Sequence, residues 1–268
     1  MALTTLPNGH LVAATAENTI KIWDASDATL ERTLTGHTDT IWDLIAVDDS
    51  CLVSASSDKT IKVWSINESA VIRTLTGHSQ SVLALKLLDN GDLASGSSDS
   101  TIKVWNLNDG RLKKSLSEQR GSIRALASLG NGHLASGSSE NTINIWDVEA
   151  GLVKRTLTGH TRGIWALALL NNGDLASGSS DNAINIWDVE SGAVKRTLDG
   201  HTSYVFALKL FDNGDLVSGS IDGRIKVWDV ENGSVKREIK IDSAVNFLEV
   251  LDNGNLVSAS NESIIIWK

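Results

Sequence analysis

The chain has 268 residues, 41% of them apolar, and a formal net charge of −9. That acidity argues against non-specific nucleic-acid binding, and no run approaches the roughly 18 apolar residues of a membrane span. The single cysteine, Cys51, excludes an internal disulfide framework and fits a reducing, cytoplasmic compartment.

Seven tryptophans recur at a nearly constant interval: Trp23, Trp64, Trp105, Trp146, Trp187, Trp228 and Trp267, spaced 41 residues apart five times and then 39. A fixed period of this size means one supersecondary unit copied in tandem. Such a unit cannot bury its apolar face alone, so the copies must stack into one body spanning residues 1–268. At the start of the chain, MALTTLPNGHLVAATA lacks the basic region and long apolar core of a signal peptide. Aligning Trp23 with Trp146 lays residues 1–6 over residues 124–129, so the first unit begins inside its innermost strand.

The unit from Ser81 to Leu116 shows the pattern in full. An apolar, strand-length run from Ser81 to Leu88 is followed by Asn90-Gly91, a hairpin signal that favours a type I′ turn. A second strand, Leu93 to Ser97, is built of small residues that let neighbouring sheets approach. Thr101 to Trp105 alternates as a third strand, and Arg111 to Leu116 is a fourth, more charged one. Four short antiparallel strands per unit, repeated seven times without helical periodicity, predict an all-β, seven-bladed β-propeller with the charged fourth strands outside. The last unit stops just after its third strand, Ser263 to Trp267. The expected count is therefore six four-stranded blades and a three-stranded blade 7 without a clasping strand. Either the ring closes by side-chain packing alone, or the chain is a fragment of a longer one, or Ser263 to Trp267 is an open edge that pairs with a partner or a second copy.

Trp-Asp pairs stand at Trp23-Asp24, Trp146-Asp147, Trp187-Asp188 and Trp228-Asp229, and Gly-His pairs at Gly36-His37, Gly77-His78, Gly159-His160 and Gly200-His201. With these motifs in register, the whole chain resembles the WD-repeat propeller family. The resemblance implies a structural hydrogen-bond chain of His, Ser, Asp and Trp in each regular blade. The sets are His37, Ser54, Asp58, Trp64; His78, Ser95, Asp99, Trp105; His160, Ser177, Asp181, Trp187; and His201, Ser218, Asp222, Trp228. Three blades depart from the pattern. Blade 1 has Ala13 and Glu17, blade 4 has Gln119 and Glu140, and blade 7 has Ile241-Asp242 and Glu262. These are expected to be the less stable blades. Four of the six histidines are thus spread around the ring rather than converging on an ion, so neither a metal nor a cofactor is expected.

The resemblance also places partner contacts at the channel mouth, three and five residues after each Gly-His histidine and just before each Asp. Carried over, these include Trp42, Leu83, Arg124, Trp165, Tyr204, Phe206 and Ile221. Trp42 and Trp165 are the two tryptophans outside the repeat signature, and both fall at the plus-five position. Aromatic anchors ringed by polar groups suit a peptide-binding hot spot, although the same rings could simply plug the channel. Arg120, Arg124 and Arg162 lie in or beside the loops of blades 4 and 5 and Arg224 in the turn of blade 6, and these arginines could hold carboxylate or phosphate. Turns on the opposite face are acidic, with Asp89, Asp92, Asp147, Glu149, Asp174, Asp188, Glu190, Asp212, Asp215, Asp229, Glu231 and Asp252, which favours solubility.

Three function classes follow. The leading one is a non-catalytic interaction scaffold binding a protein or peptide at the channel mouth. The second is an acidic- or phospho-motif receptor module of a larger ligase or signalling protein. An enzyme is disfavoured, because no nucleophile–base pair or phosphate loop stands apart from the structural sets. The near-identity of residues 141–146 and 182–187 also suits a duplicated or designed scaffold with no evolved ligand.

Overall fold

Each 41-residue period folds into a small antiparallel sheet in the computed structural model, which describes residues 2–251, 253–260 and 263–267. Blade 3 is representative, with strands Val82–Leu87, Leu93–Ser97, Ile102–Trp105 and Leu112–Leu116 paired in that order. Blades 1 to 6 have four strands each. Blade 7 has three among the described residues, Phe247–Val250, Leu256–Ala259 and Ile264–Trp267. Asp252 and Glu262 lie outside the described residues.

The first strand of every blade faces the central axis. Ile41–Ala46, Val82–Leu87, Ile123–Gly130, Ile164–Leu169, Val205–Leu210 and Phe247–Val250 adjoin in turn, and Leu3–Thr5 adjoins both Phe247–Val250 and Ile41–Ala46, so the ring closes. Closure is by side-chain packing: Leu3, Leu11 and Ala13 of blade 1 meet Leu251, Val257 and Ala259 of blade 7.

The core lies between blades rather than within them. At each regular junction, an Ile from the third strand and a Leu from the fourth strand of one blade cover the Trp of the next. Examples are Ile61, Leu75 and Trp105, and Ile143, Leu157 and Trp187. All six of these side chains are at most 3% exposed, and burying each aliphatic one stabilises by about 1.5–3 kcal/mol. The second strands, written Leu-Ala-Ser-Gly-Ser in blades 3, 4 and 5, are fully buried. Their glycine is dictated by the neighbouring blade: a Cβ on Gly96 would lie 2.6 Å from Cγ2 of Ile123.

The hairpin turns resolve into two kinds. At Asn131-Gly132 both residues take positive φ, 52° and 77°, as a type I′ turn requires. At Asn90-Gly91 only Gly91 does, at 80°, which corrects the type I′ expectation there. The reason is local: Asn90 uses its side chain, Oδ1 accepting from the Asp92 N–H at 3.0 Å and Nδ2 donating to Asp92 Oδ2 at 2.9 Å. This Asx geometry holds the first turn residue at negative φ.

Candidate partner-binding face

The turn after the second strand and the loop entering the blade are fixed to each other by one repeated hydrogen-bond chain. In blade 2, the indole Nε1–H of Trp64 donates to Ser54 Oγ at 2.8 Å, Ser54 Oγ meets His37 Nε2 at 2.7 Å, and His37 Nδ1 meets Asp58 Oδ2 at 2.6 Å. A carboxylate can only accept, so Nδ1 carries the proton and Nε2 accepts from the serine hydroxyl. Asp58 also accepts from the Thr38 and Thr60 N–H groups and the Thr60 hydroxyl. The same chain joins His78, Ser95, Asp99 and Trp105. It joins His160, Ser177, Asp181 and Trp187 in blade 5, and His201, Ser218, Asp222 and Trp228 in blade 6.

Burial disfavours the imidazolium, so His37, His78 and His201 titrate below the usual histidine range despite their carboxylate partners. Burial pushes the opposing way on the aspartates, toward the neutral acid, but hydrogen bonds outweigh it. Thr101, the Ser79 N–H and His78 hold Asp99 at about 2, and His160 with the Thr161 N–H holds Asp181 at about 2. The sets of His37, His78 and His201 are thus each a neutral imidazole on an ionised carboxylate.

Two serines not singled out from sequence do the same work in irregular blades. Trp146 donates to Ser136 Oγ at 2.7 Å, and the Ser136 hydroxyl donates to Gln119 Oε1. Gln119 Nε2 then donates to the Ser136 and Thr142 carbonyls, so Gln119 replaces the histidine while Glu140 stays exposed. In blade 7, Trp267 donates to Ser258 Oγ at 2.8 Å. Both serines follow from register with Ser54 and its copies.

On this scaffold, three of the five plus-five residues, Arg124, Trp165 and Phe206, meet across blades 4 to 6. The Arg124 guanidinium lies over the Trp165 ring, 4.2 Å from its centroid. Trp165 and Phe206 meet edge to face at 4.5 Å, and Tyr204 and Phe206 do so at 6.2 Å. The structure therefore joins residues of blades 4, 5 and 6 in one continuous stack. Trp42 stands apart from it, 37% exposed, its indole donating to Ser57 Oγ at 2.6 Å; Trp165 donates likewise to Ser180. Leu83 is half-buried, and Ile221 is exposed.

The four arginines do not share one environment. Arg124 is stacked and partly buried, which pulls its pKa below the usual arginine value. Arg120 and Arg162 are exposed. Arg224 is committed to Glu238 on the outer strand of blade 6, which Lys226 also contacts. On the acidic turns, three carboxylates are matched by fourth-strand lysines: Asp92 by Lys113, Asp174 by Lys195 and Asp215 by Lys236, at 2.6–2.7 Å. The described residues that cluster in a metal-capable way are His10, Asp24 and Glu31 at the rim of blade 1, where His10 Nδ1 already pairs with Glu31 at 2.9 Å.

Sequence reasoning passed over a charged belt inside the channel. Asp43 accepts from the Leu85 N–H of blade 3 at 2.7 Å and from the Leu44 N–H at 2.9 Å. Its burial raises its pKa to about 6, although those N–H bonds and the charges of Lys209 and Lys86 oppose the rise. Lys209 of blade 6 pairs with Glu249 of blade 7 at 2.9 Å. The signal was present in the repeat: Asp43 occupies the register position filled by Ala84, Ala125, Ala166 and Ala207.

Comparison with known families agrees with this geometry. Residues 28–65, 69–106, 110–147, 151–188 and 192–229 each match the WD domain, G-beta repeat. Each match begins with the fourth strand of one blade and ends with the third strand of the next, so the sequence repeat is offset from the blade by one strand. No curated protein matches the chain. The five repeats cover more than two thirds of its length, and the chain belongs to the WD-repeat family.

Proposed function

We propose that this propeller is a non-catalytic scaffold that binds an extended peptide or loop across its channel-mouth face. WD-repeat propellers are generally protein-interaction scaffolds. The observation that carries the finer reading is the Arg124–Trp165–Phe206–Tyr204 stack. It spans three blades, keeps its members partly exposed, and pre-orders the aromatic and arginine side chains that dominate interface energetics. Pre-ordering matters because each immobilised side chain otherwise costs about 0.5–1.5 kcal/mol on binding. Trp42 extends the surface toward blade 2.

Among the described residues Arg124 pairs with no carboxylate, so its guanidinium edge stays available to an acidic or phosphorylated side chain of the ligand, with Arg120 and Arg162 as exposed neighbours. The test is a pull-down from cell extract, read by mass spectrometry, with the wild-type protein and an Arg124→Ala, Trp165→Ala, Tyr204→Ala variant whose fold is checked by circular dichroism. A partner retained by the first and lost by the second supports the reading. Identical partner sets sink it. Repeating the capture at raised salt separates an acidic-motif ligand, which is lost, from an aromatic-anchored one, which persists.

A further inference from the structure

The fourth strand of each of blades 1 to 6 carries a β-bulge at the same place. In blade 1, Trp23 pairs with Leu30 and Ile22 with Arg32, so Glu31 is the residue the ladder skips. The skipped residues of blades 2 to 6 are Ile72, Lys113, Lys154, Lys195 and Lys236. A bulge re-aims the side chain it frees. Here the aim is toward the residue that opens the second strand. Lys113 reaches Asp92 at 2.7 Å, Lys154 reaches His133 at 2.9 Å, Lys195 reaches Asp174 at 2.7 Å and Lys236 reaches Asp215 at 2.6 Å. In blades 5 and 6 the same ammonium also lies 3.6 Å from Asp188 and 3.8 Å from Asp229, the residues that follow the third-strand Trp. Three strands thus meet at a slot that takes a positive charge.

Blade 1 fills this slot with the opposite charge. Its residues in the same register are His10, Asp24 and Glu31, so a carboxylate stands where blades 3 to 6 carry a lysine. The donor atoms of all three lie within 4.8 Å of one another, and His10 Nδ1 is 2.9 Å from Glu31 Oε2. Ligand atoms bound to one zinc ion stand about 3.3 Å apart in tetrahedral geometry. A shift of about 1.5 Å therefore closes the set, within reach of the exposed Glu31 side chain. The other two ligands are held by their neighbours. Asp24 Oδ1 accepts from the Ser26 N–H at 2.7 Å, leaving its second oxygen for a further partner, and the His10 N–H donates to Asn8 Oδ1 at 3.0 Å. Arg32, next to Glu31, donates instead to the Asn67 carbonyl of blade 2 at 3.3 Å. One imidazole with two carboxylates is a donor set suited to zinc, whereas calcium and magnesium prefer oxygen alone.

We propose that His10, Asp24 and Glu31 form a divalent-metal site of the zinc class at the rim of blade 1, in which the bound ion takes the place of the lysine ammonium of blades 3 to 6. Three protein donors leave a fourth position to water or to a donor from a partner. The ion ties together the second, third and fourth strands of a blade that lacks the His, Ser and Asp chain of its regular neighbours. All three ligands belong to a four-stranded blade and stand on the acidic face, so the site is independent of the channel-mouth reading.

The test is a calorimetric titration of zinc chloride into the full chain, first stripped of metal by a chelator, at pH 7.5. The same titration is run on a Cys51→Ser control and on Glu31→Lys, which copies the His133, Asp147 and Lys154 set that blade 4 already accommodates. The ring resonances of His10 are followed by NMR in the wild type, and the urea midpoint of each protein is measured with and without zinc. The expected result is saturable one-to-one binding that shifts His10 and leaves the buried His37, His78, His160 and His201 in place. Zinc should raise the wild-type urea midpoint. Affinity should be unchanged in Cys51→Ser and weaker by about a hundredfold or more in Glu31→Lys. Metal-free Glu31→Lys should be at least as stable as the wild type, because it supplies the positive charge itself. Calcium chloride should not compete. The proposal is overturned by an absence of saturable zinc binding, by binding that leaves His10 unmoved, or by a folded Glu31→Lys that binds as tightly as the wild type. Equal binding of calcium also overturns it and reduces the set to an acidic surface patch. If Glu31→Lys does not fold, the His10 and calcium readings on the wild type decide alone.

Discussion

The serine of each hydrogen-bond chain serves two buried partners at once. Ser177 accepts from the Trp187 indole at 2.7 Å and donates to His160 Nε2 at 2.7 Å, all inside the blade. Ser177→Ala leaves an indole N–H and an imidazole nitrogen without partners, so it should cost about 2–4 kcal/mol by urea denaturation; a loss under about 1 kcal/mol would mean water repairs the site. Asp43 is the opposite case, a residue the fold tolerates at a cost. Its pKa is raised to about 6, so the folded state holds a proton that the unfolded chain has released, and stability falls as pH rises from about 4 through 6. Asp43→Asn keeps an acceptor for the Leu85 N–H and abolishes that loss. Its stability relative to wild type should grow by about 2 kcal/mol between pH 4 and pH 7.5, and a difference flat with pH refutes the account. The hydrogen-bond sets were legible because several copies repeat them. Asp43 was hard to see because it occurs once, and the commitment of Arg224 was hidden because it depends on Glu238, where other blades carry Thr or Ser.

At the scale of the strand, the unit of stability is the junction and not the blade. Leu157 is 1% exposed and packs with Ile143 of its own blade and Trp187 of the next. Leu157→Ala should therefore cost about 3 kcal/mol or more. The equivalent truncation at blade 7, Ile264→Ala, acts on a side chain already open to a cavity and should cost about 1 kcal/mol; equal losses would mean the two junctions are equally well packed. Amide exchange should follow the same order, with blades 1 and 7 opening before the rest. Blade 4, whose motif departs from the pattern, should exchange with its regular neighbours, because Gln119 satisfies Ser136 and two carbonyls. Strand positions were readable to within a residue from spacing and turn signals. Which surface each exposed arginine would serve was not, since that depends on contacts between blades rather than on the period within one.

For the whole molecule, the hydrogen-bond chains also set the response to acid. His37, His78 and His201 have pKa values lowered by burial, so the folded state binds fewer protons than the unfolded chain once pH falls below about 6.5. Their contribution is intact at pH 7.5 and is lost as pH falls from there toward their folded values. Asp58, Asp99, Asp181 and Asp222 are lowered as well, and their contribution persists to about pH 4 and is lost below it. Asp43 works against the histidines, gaining stability over the same acid step. Asp43 and the three histidines oppose each other over this step, so the Asp43→Asn protein isolates the histidines: its urea midpoint should drop between pH 7.5 and pH 5, and both proteins should drop more steeply below pH 4. In the Asp43→Asn protein the first drop should be larger, because the opposing group is gone. A midpoint that stays constant from pH 7.5 to pH 5 in both proteins would show that the imidazoles are not held neutral by burial, and the account of the blade as a set of neutral-imidazole, ionised-carboxylate chains would fail with it.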